Sequence, residues 1–381
     1  MKKENKPQHN KPWKTADINL CITALGLATS VGHDHKTACA SLRADFKRPQ
    51  RLNNYYVETR EGFEDYEDGL VVSHPILDGD PNDRVTRMFT VLGMALKDLA
   101  EDFEDERFLE ETPLYLALPG RERLSMNEED IYDNILAHSP VVFEKDKCRV
   151  YQNGHAAMVL ALCDAAKNVE KGLCQRVIIA GTDSLISFED LSRYDEQYRL
   201  KTSINPDGLM PGEAASAFLV ETLKSAEQRN ASIRCSVLAV ASSMDDQPFL
   251  SGKSPAGTGF TNAIRAVSDQ EKDPPLAVDA VITDLNGESY RFSEWGLLQA
   301  RIFGQIHGEK NLICPARNIG DTGAASPGIS LAIAVRSMER GYLADELSER
   351  TGKALILCGS DTGERGAVVV GEWKKKEEEE L

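Results

Sequence analysis

Short apolar runs alternate along the chain with longer stretches of helical period. Eight runs rich in β-branched residues, at 20–28, 114–118, 176–180, 216–221, 236–240, 279–284, 354–358 and 367–371, are bounded by Gly, Asp or other polar residues and read as buried strands. Between them, residues 85–102 place Met88, Val91, Leu92, Ala95, Leu96 and Leu99 on one helical face. Residues 156–169 do the same with Ala157, Leu160, Ala161 and Ala165, and 260–267 and 328–337 are two further helices. Strands alternating with helices predict an α/β protein with helices covering a largely buried sheet.

The order of elements recurs. Strand, loop, helix, strand, helix, strand and two closing strands fit residues 19–222, and a similar order fits 233–371. This divides the chain into a polar arm at 1–18, an N-terminal half at 19–225, a C-terminal half at 226–372 and a charged tail at 373–381. The acid- and proline-rich stretch 46–82 breaks the alternation and reads as an excursion or cap.

Composition narrows the function classes. At 381 residues, 41% of them hydrophobic, the chain can bury a large core. Its net charge of −17 and the lack of a basic stripe argue against nucleic acid and anionic membrane surfaces. Polar residues follow Met1-Lys2-Lys3, and no run approaches the ~20 apolar residues of a membrane span, so a cytoplasmic location is expected. None of the eight cysteines forms a Cys-x-x-Cys pair, which predicts reduced thiols and no metal site; no cofactor is implied.

One frame carries more information than the rest. Asn318-Ile319-Gly320-Asp321-Thr322-Gly323-Ala324-Ala325-Ser326-Pro327-Gly328 resembles the Gly-His-Thr-x-Gly-Ala-Ala-x-Gly stretch of the β-ketoacyl synthases, condensing enzymes of the thiolase-like fold. Four other stretches resemble the family in the same order. They are Ile22 to Gly32 with Leu42-Arg43-Ala44, Lys171 to Ser184, Gly208 to Ala217, and Gly363 to Val370. Together they span residues 19–371. The resemblance implies two duplicated βαβ halves packed as α/β/α/β/α layers. Gly212, Gly320 and Gly323 then punctuate structural turns, and Glu213 makes a backbone or salt-bridge contact.

The same resemblance implies a catalytic cysteine at a helix N-terminus, where the helix dipole lowers its pKa, and two histidines that stabilise an enolate. Here the chain departs from the family. Aligning Gly154 with a glycine that follows the family's cysteine puts Tyr151 in the nucleophile's place. The first histidine falls on Asp284, with Leu285 the other register, and the second on Asp321. A phenol of reference pKa ~10 is a poor thioester acceptor, and a carboxylate cannot donate to an oxyanion. The family's gating phenylalanine is missing as well; Thr362 is nearest to its place.

Other residues offer alternatives. Cys148, Gln152 and His155 flank Tyr151, and Cys148 with His155 is a candidate nucleophile and base, or else a strand residue and a helix cap. Asp284 and Asp321 face each other as an acid/base pair, or bond to backbone amides or to Arg149, Arg317 or Arg365. Two functions follow. The first is a non-condensing binding subunit or adaptor, as in the family's chain-length factors, forming a homodimer or a heterodimer with a ketosynthase-like or other client around residues 176–180. The second is an acyltransferase or thioester hydrolase of altered chemistry.

Overall fold

The computed structural model describes residues 20–57, 69–103, 106–203, 205–268, 276–303, 311–344 and 350–374. The expected arm at 1–18 and the tail beyond Lys374 lie outside them.

The N-terminal half runs β1 (Leu20–Ala28), α1 (His35–Arg43), β2 (Gln50–Tyr56), β3 (Leu70–Ser73), α2 (Arg84–Ala100), α3 (Glu106–Glu110), β4 (Leu114–Leu118), α4 (Glu128–His138), β5 (Cys148–Gln152), α5 (Ala157–Glu170), β6 (Arg176–Ser184), α6 (Phe188–Glu196), β7 (Glu213–Thr222) and α7 (Leu223–Gln228). The C-terminal half runs β8 (Cys235–Met244), α8 (Thr258–Val267), β9 (Ala280–Thr283), α9 (Ser289–Arg301), β10 (Asn311–Ile313), α10 (Ala316–Ile319), α11 (Ser326–Glu339), β11 (Lys353–Gly359) and β12 (Glu364–Gly371).

Strand order exposes the duplication. Among the described residues the large sheet reads β10-β9-β11-β12-β8-β1-β7-β6-β4-β5. The sequence β1-β7-β6-β4-β5 in one half is matched by β8-β12-β11-β9-β10 in the other. The two halves meet where β1 pairs antiparallel with β8. Within each half the three outermost strands are parallel and the rest antiparallel.

The layers follow from which faces are apolar. β1, β4 and β11 are apolar along nearly their whole length, as strands covered on both sides must be. α5 and α11 fill the centre. Met158, Ala161 and Leu162 of α5 pack in one cluster with Ile329, Ala332 and Val335 of α11 and with strand residues of both halves. α2 covers the outer face of the first half and α8 that of the second, each with its own cluster. The result is the α/β/α/β/α stack.

The excursion at 46–82 contributes the β2–β3 ribbon. Val57 and Val71 there pack against Leu191 and Tyr194 of α6. Among the described residues no helix is long and apolar enough to cross a membrane.

Candidate functional site

Both central helices start the same way. A 3-10 turn, Gly154–Ala156 before α5 and Gly323–Ala325 before α11, ends in a long apolar helix. The turns meet at the buried middle of the molecule. Glycine is required at the second turn. Gly323 has φ +49, and a Cβ there would lie 1.8 Å from a carboxylate oxygen of Asp183. That carboxylate accepts from the Ala324 amide at 3.0 Å and from Arg123 at 2.9 Å, which pins the turn.

Asp321, just upstream, is strapped by its backbone. Its amide donates to the Met210 carbonyl at 2.7 Å, and its carbonyl accepts from Gly212 at 2.9 Å. Gly212 can come this close only without a side chain; a Cβ would sit 2.4 Å from the Ile319 carbonyl oxygen. Glu213 next to it is fully buried and bonds Arg87, at 2.7 Å, and the Leu77 amide.

The Asp321 side chain meets His155. His155 Nε2 lies 2.7 Å from Oδ1, Asn286 donates to Oδ2 at 2.7 Å, and the Gly323 amide donates to Oδ1 at 2.9 Å. Burial works against both charges, but each partner outweighs it for the other. The carboxylate of Asp321 raises the His155 imidazole above its ordinary value. His155, then Arg291 and Asn286, hold Asp321 well below the usual carboxylate range. The pair is buried, and each member favours the charged form of the other, which favours an imidazolium–carboxylate pair.

A second network surrounds it. Asp284, at the end of β9, accepts from Arg291 at 3.0 Å and from the Gly359 amide at 2.8 Å. Arg291 also reaches Asp361 at 3.2 Å, and Arg199 bridges Asp361 at 2.8 Å and Glu288 at 3.0 Å. Asn286 links the networks, donating to Glu288 at 2.8 Å as well as to Asp321. Arg199 and Arg291 hold the Asp361 carboxyl well down despite its burial. Thr362 bonds Glu364, which in turn accepts from Asn153 at 2.9 Å, tying the β11–β12 turn to the residues before His155.

The expected residues separate into groups. His155 and Asp321 come together, with Asp284 in the adjoining network. The two aspartates do not bond each other. Their partners are His155, Asn286 and Arg291, whereas Arg317 pairs with Asp45 and Arg365 with Glu294. Tyr151 does not join them. Its hydroxyl donates to Asp164 at 3.3 Å and its ring lies against Tyr115. The side chain at the N-terminal turn of α5 beside Asp321 is that of His155, because Gly154 opens that turn instead of following a nucleophile within it. Gln152 ends β5 and donates to the Leu124 carbonyl at 3.0 Å.

Cys148 begins β5, with its thiol on the Glu144 carbonyl, and is not paired with His155. Burial pushes that thiol up to about 11. Cys148 is therefore expected to react with iodoacetamide no faster than the other half-buried cysteines, as read by peptide mass spectrometry; selective rapid labelling would contradict this. The thiols nearest the polar centre are no better. Burial and then Asp284 push Cys314 up to about 11, and they raise Cys358 further.

Sequence reasoning missed Arg199, Asn286, Glu288 and Arg291. Asn286 and Glu288 lie within the Thr283 to Glu288 stretch, so their place beside the site was readable. Nothing local marks Arg199, which is brought in from 89 residues upstream of Glu288.

No family model and no curated protein matches the chain. Solved structures do. The ishigamide ketosynthase/chain length factor superposes with a TM-score of 0.72 at 14% identity, over 94% of this chain and 100% of that one. An oxazolomycin ketosynthase domain of Streptomyces albus JA3453 gives 0.72 at 11%, over 96% and 76%. A type II polyketide synthase acyl-carrier protein in complex with its ketosynthase bound to the hexaketide gives 0.67 at 12%, over 94% and 100%. The chain thus has the ketosynthase-like, thiolase-like fold that its motifs resemble.

Proposed function

We propose that the chain is a non-condensing ketosynthase-fold subunit that acts by binding a partner. The resemblance gives the catalytic cysteine's place to Tyr151 and those of the two histidines to Asp284 and Asp321, and at the start of α5 it is His155 that lies beside Asp321. The observation that carries this reading is the His155–Asp321 ion pair, 2.7 Å long and buried. An imidazole whose Nε2–H is donated to a carboxylate has no lone pair at Nε2 with which to attack a thioester. The carboxylate opposes, instead of stabilising, an enolate oxygen. The likeness to a ketosynthase/chain length factor supports a partner role, as does the likeness to a chain of a complex between an acyl-carrier protein and its ketosynthase.

The partner surface is best placed on β5. The expected interface strand at 176–180 is unsuitable, because it lies within β6, which is paired on one side with β7 and on the other with β4. β5 is the edge of the N-terminal half and has one side unpaired among the described residues. A free edge is a template for a second strand. Sedimentation of the purified chain should give twice 42.0 kDa. Val150→Asp, at the middle of β5, should bring two new carboxylates together across the shared edge and shift the mass towards the monomer. A wild-type chain that sediments as a monomer at micromolar concentration would reject this surface.

The functional reading is tested by incubating the protein with an excess of acetyl and longer acyl thioesters and measuring its intact mass. No acyl adduct is expected. A stoichiometric adduct on His155 or on a cysteine would instead support the acyltransferase or hydrolase of altered chemistry.

A further inference from the structure

A second feature, remote from the buried ion pairs, has no part in the function proposed above. A cleft of about 790 Å³ runs between α1 and the end of α11. Lys36, Arg43, Arg336 and Arg340 line it, together with Thr37, Ser41 and Tyr342, and its lining contains no carboxylate. On a chain of net charge −17 this is a marked segregation of charge. Arg336 is neutralised by Glu339. Lys36, Arg43 and Arg340 have no ion-pair partner among the described residues. Arg43 is nevertheless stacked, its guanidinium 3.8 Å from the centre of the Tyr342 ring.

We propose that this cleft binds a small phosphate-bearing ligand. A guanidinium stacked on an aromatic ring has already lost most of its rotamer freedom, so less is lost when it grips an anion. Arginine's planar fork matches two phosphate oxygens at once, and the hydroxyls of Thr37 and Ser41 add neutral donors. The cleft's volume is that of a small-molecule site. Its concavity favours a compact polyanion over the flat surface of an acidic protein. The three unpaired cations gather where neighbouring acids would otherwise screen them, and an anion of two or more charges is the ligand that uses all three.

Inorganic pyrophosphate is the probe, titrated into the full chain by calorimetry at fixed ionic strength, with sulfate, a smaller anion of lower charge, as the control. Saturable binding is expected, weaker for sulfate. Arg43→Ala and Arg340→Ala should each weaken pyrophosphate binding at least about tenfold, given the strength of charge-assisted hydrogen bonds. Lys36→Ala should weaken it less. Both arginines are exposed, so these variants should fold as the wild type does. Absence of saturable binding, or affinity unchanged in the double arginine variant, would overturn the proposal. Binding that emerges only after deletion of residues 375–381 would also overturn it, assigning the cleft to the chain's own Glu377 to Glu380 run.

Discussion

Asp321→Ala should destabilise the protein by about 3–5 kcal/mol near pH 6, the range found when one partner of a buried ion pair is removed. The carboxylate is 3% exposed and is the only ion-pair partner of His155 among the described residues. Without it, burial and Arg291 push the imidazole down instead of up. The pH dependence has a definite sign. In the wild type His155 is raised, so its contribution is complete below the ordinary histidine value of about 6.5 and fades as pH rises through the higher folded value. Asp321 is lowered, so its contribution is complete above about 3.9 and fades only as pH falls through the depressed folded value. In the variant the unfolded chain binds the histidine proton more readily than the folded one, so the loss should grow as pH falls from 8 to 5. Urea unfolding at several pH values measures it. The double variant His155→Ala/Asp321→Ala should recover part of the loss, because no lone charge stays buried. A loss under about 1 kcal/mol that is flat in pH, or strict additivity, would contradict the ion pair.

Most of the sheet was legible because its strands are buried on both faces. Runs such as 20–28 and 114–118 coincide with β1 and β4 to the residue, since a doubly covered strand is apolar throughout and polar residues mark its ends. β5 and β10 were not legible. Each is a short, partly exposed edge strand, and Cys148-Arg149-Val150-Tyr151-Gln152 shows neither an apolar run nor a clean alternation. β2 and β3 lie in the acid-rich excursion and are stabilised by α6, a contact that local pattern cannot reveal. The helices were found one or two residues off at their ends because periodicity does not mark an end, and no capping bond marks these starts either: Asp83 and Ala325 make no side-chain cap bond.

The site was legible in part. The Asp321 frame stood out because Gly320 and Gly323 both adopt positive φ, and the turn cannot form without them. Asp284 followed from Gly287 and the end of a strand. Tyr151 does not reach this centre, its hydroxyl lying on Asp164, and Gly154 can be read either as following the nucleophile or as preceding the helix. Only the three-dimensional turn shows that His155 faces Asp321. Arg291 and Arg199 were invisible because a buried guanidinium looks like a surface one until its carboxylates, Asp284, Asp361 and Glu288, are seen around it.

The second large expected effect is the absence of condensation. Carbon–carbon bond formation from a malonyl thioester needs a thiolate to carry the acyl chain and donors to hold the enolate. A thiol pushed up to about 11, as at Cys148 and Cys314, is ionised in about one molecule in ten thousand at pH 7. Each missing oxyanion donor costs about 10²–10³ in rate. Here both expected donor positions, Asp284 and Asp321, carry carboxylates, and their partners Arg291 and His155 are already engaged. The decisive assay supplies the purified protein with an acyl thioester primer and malonyl thioesters and follows β-ketoacyl product by mass spectrometry. The ion-paired centre predicts product no faster than in a control without protein. Sustained, protein-dependent formation of a β-ketoacyl thioester, abolished by His155→Ala, would contradict it.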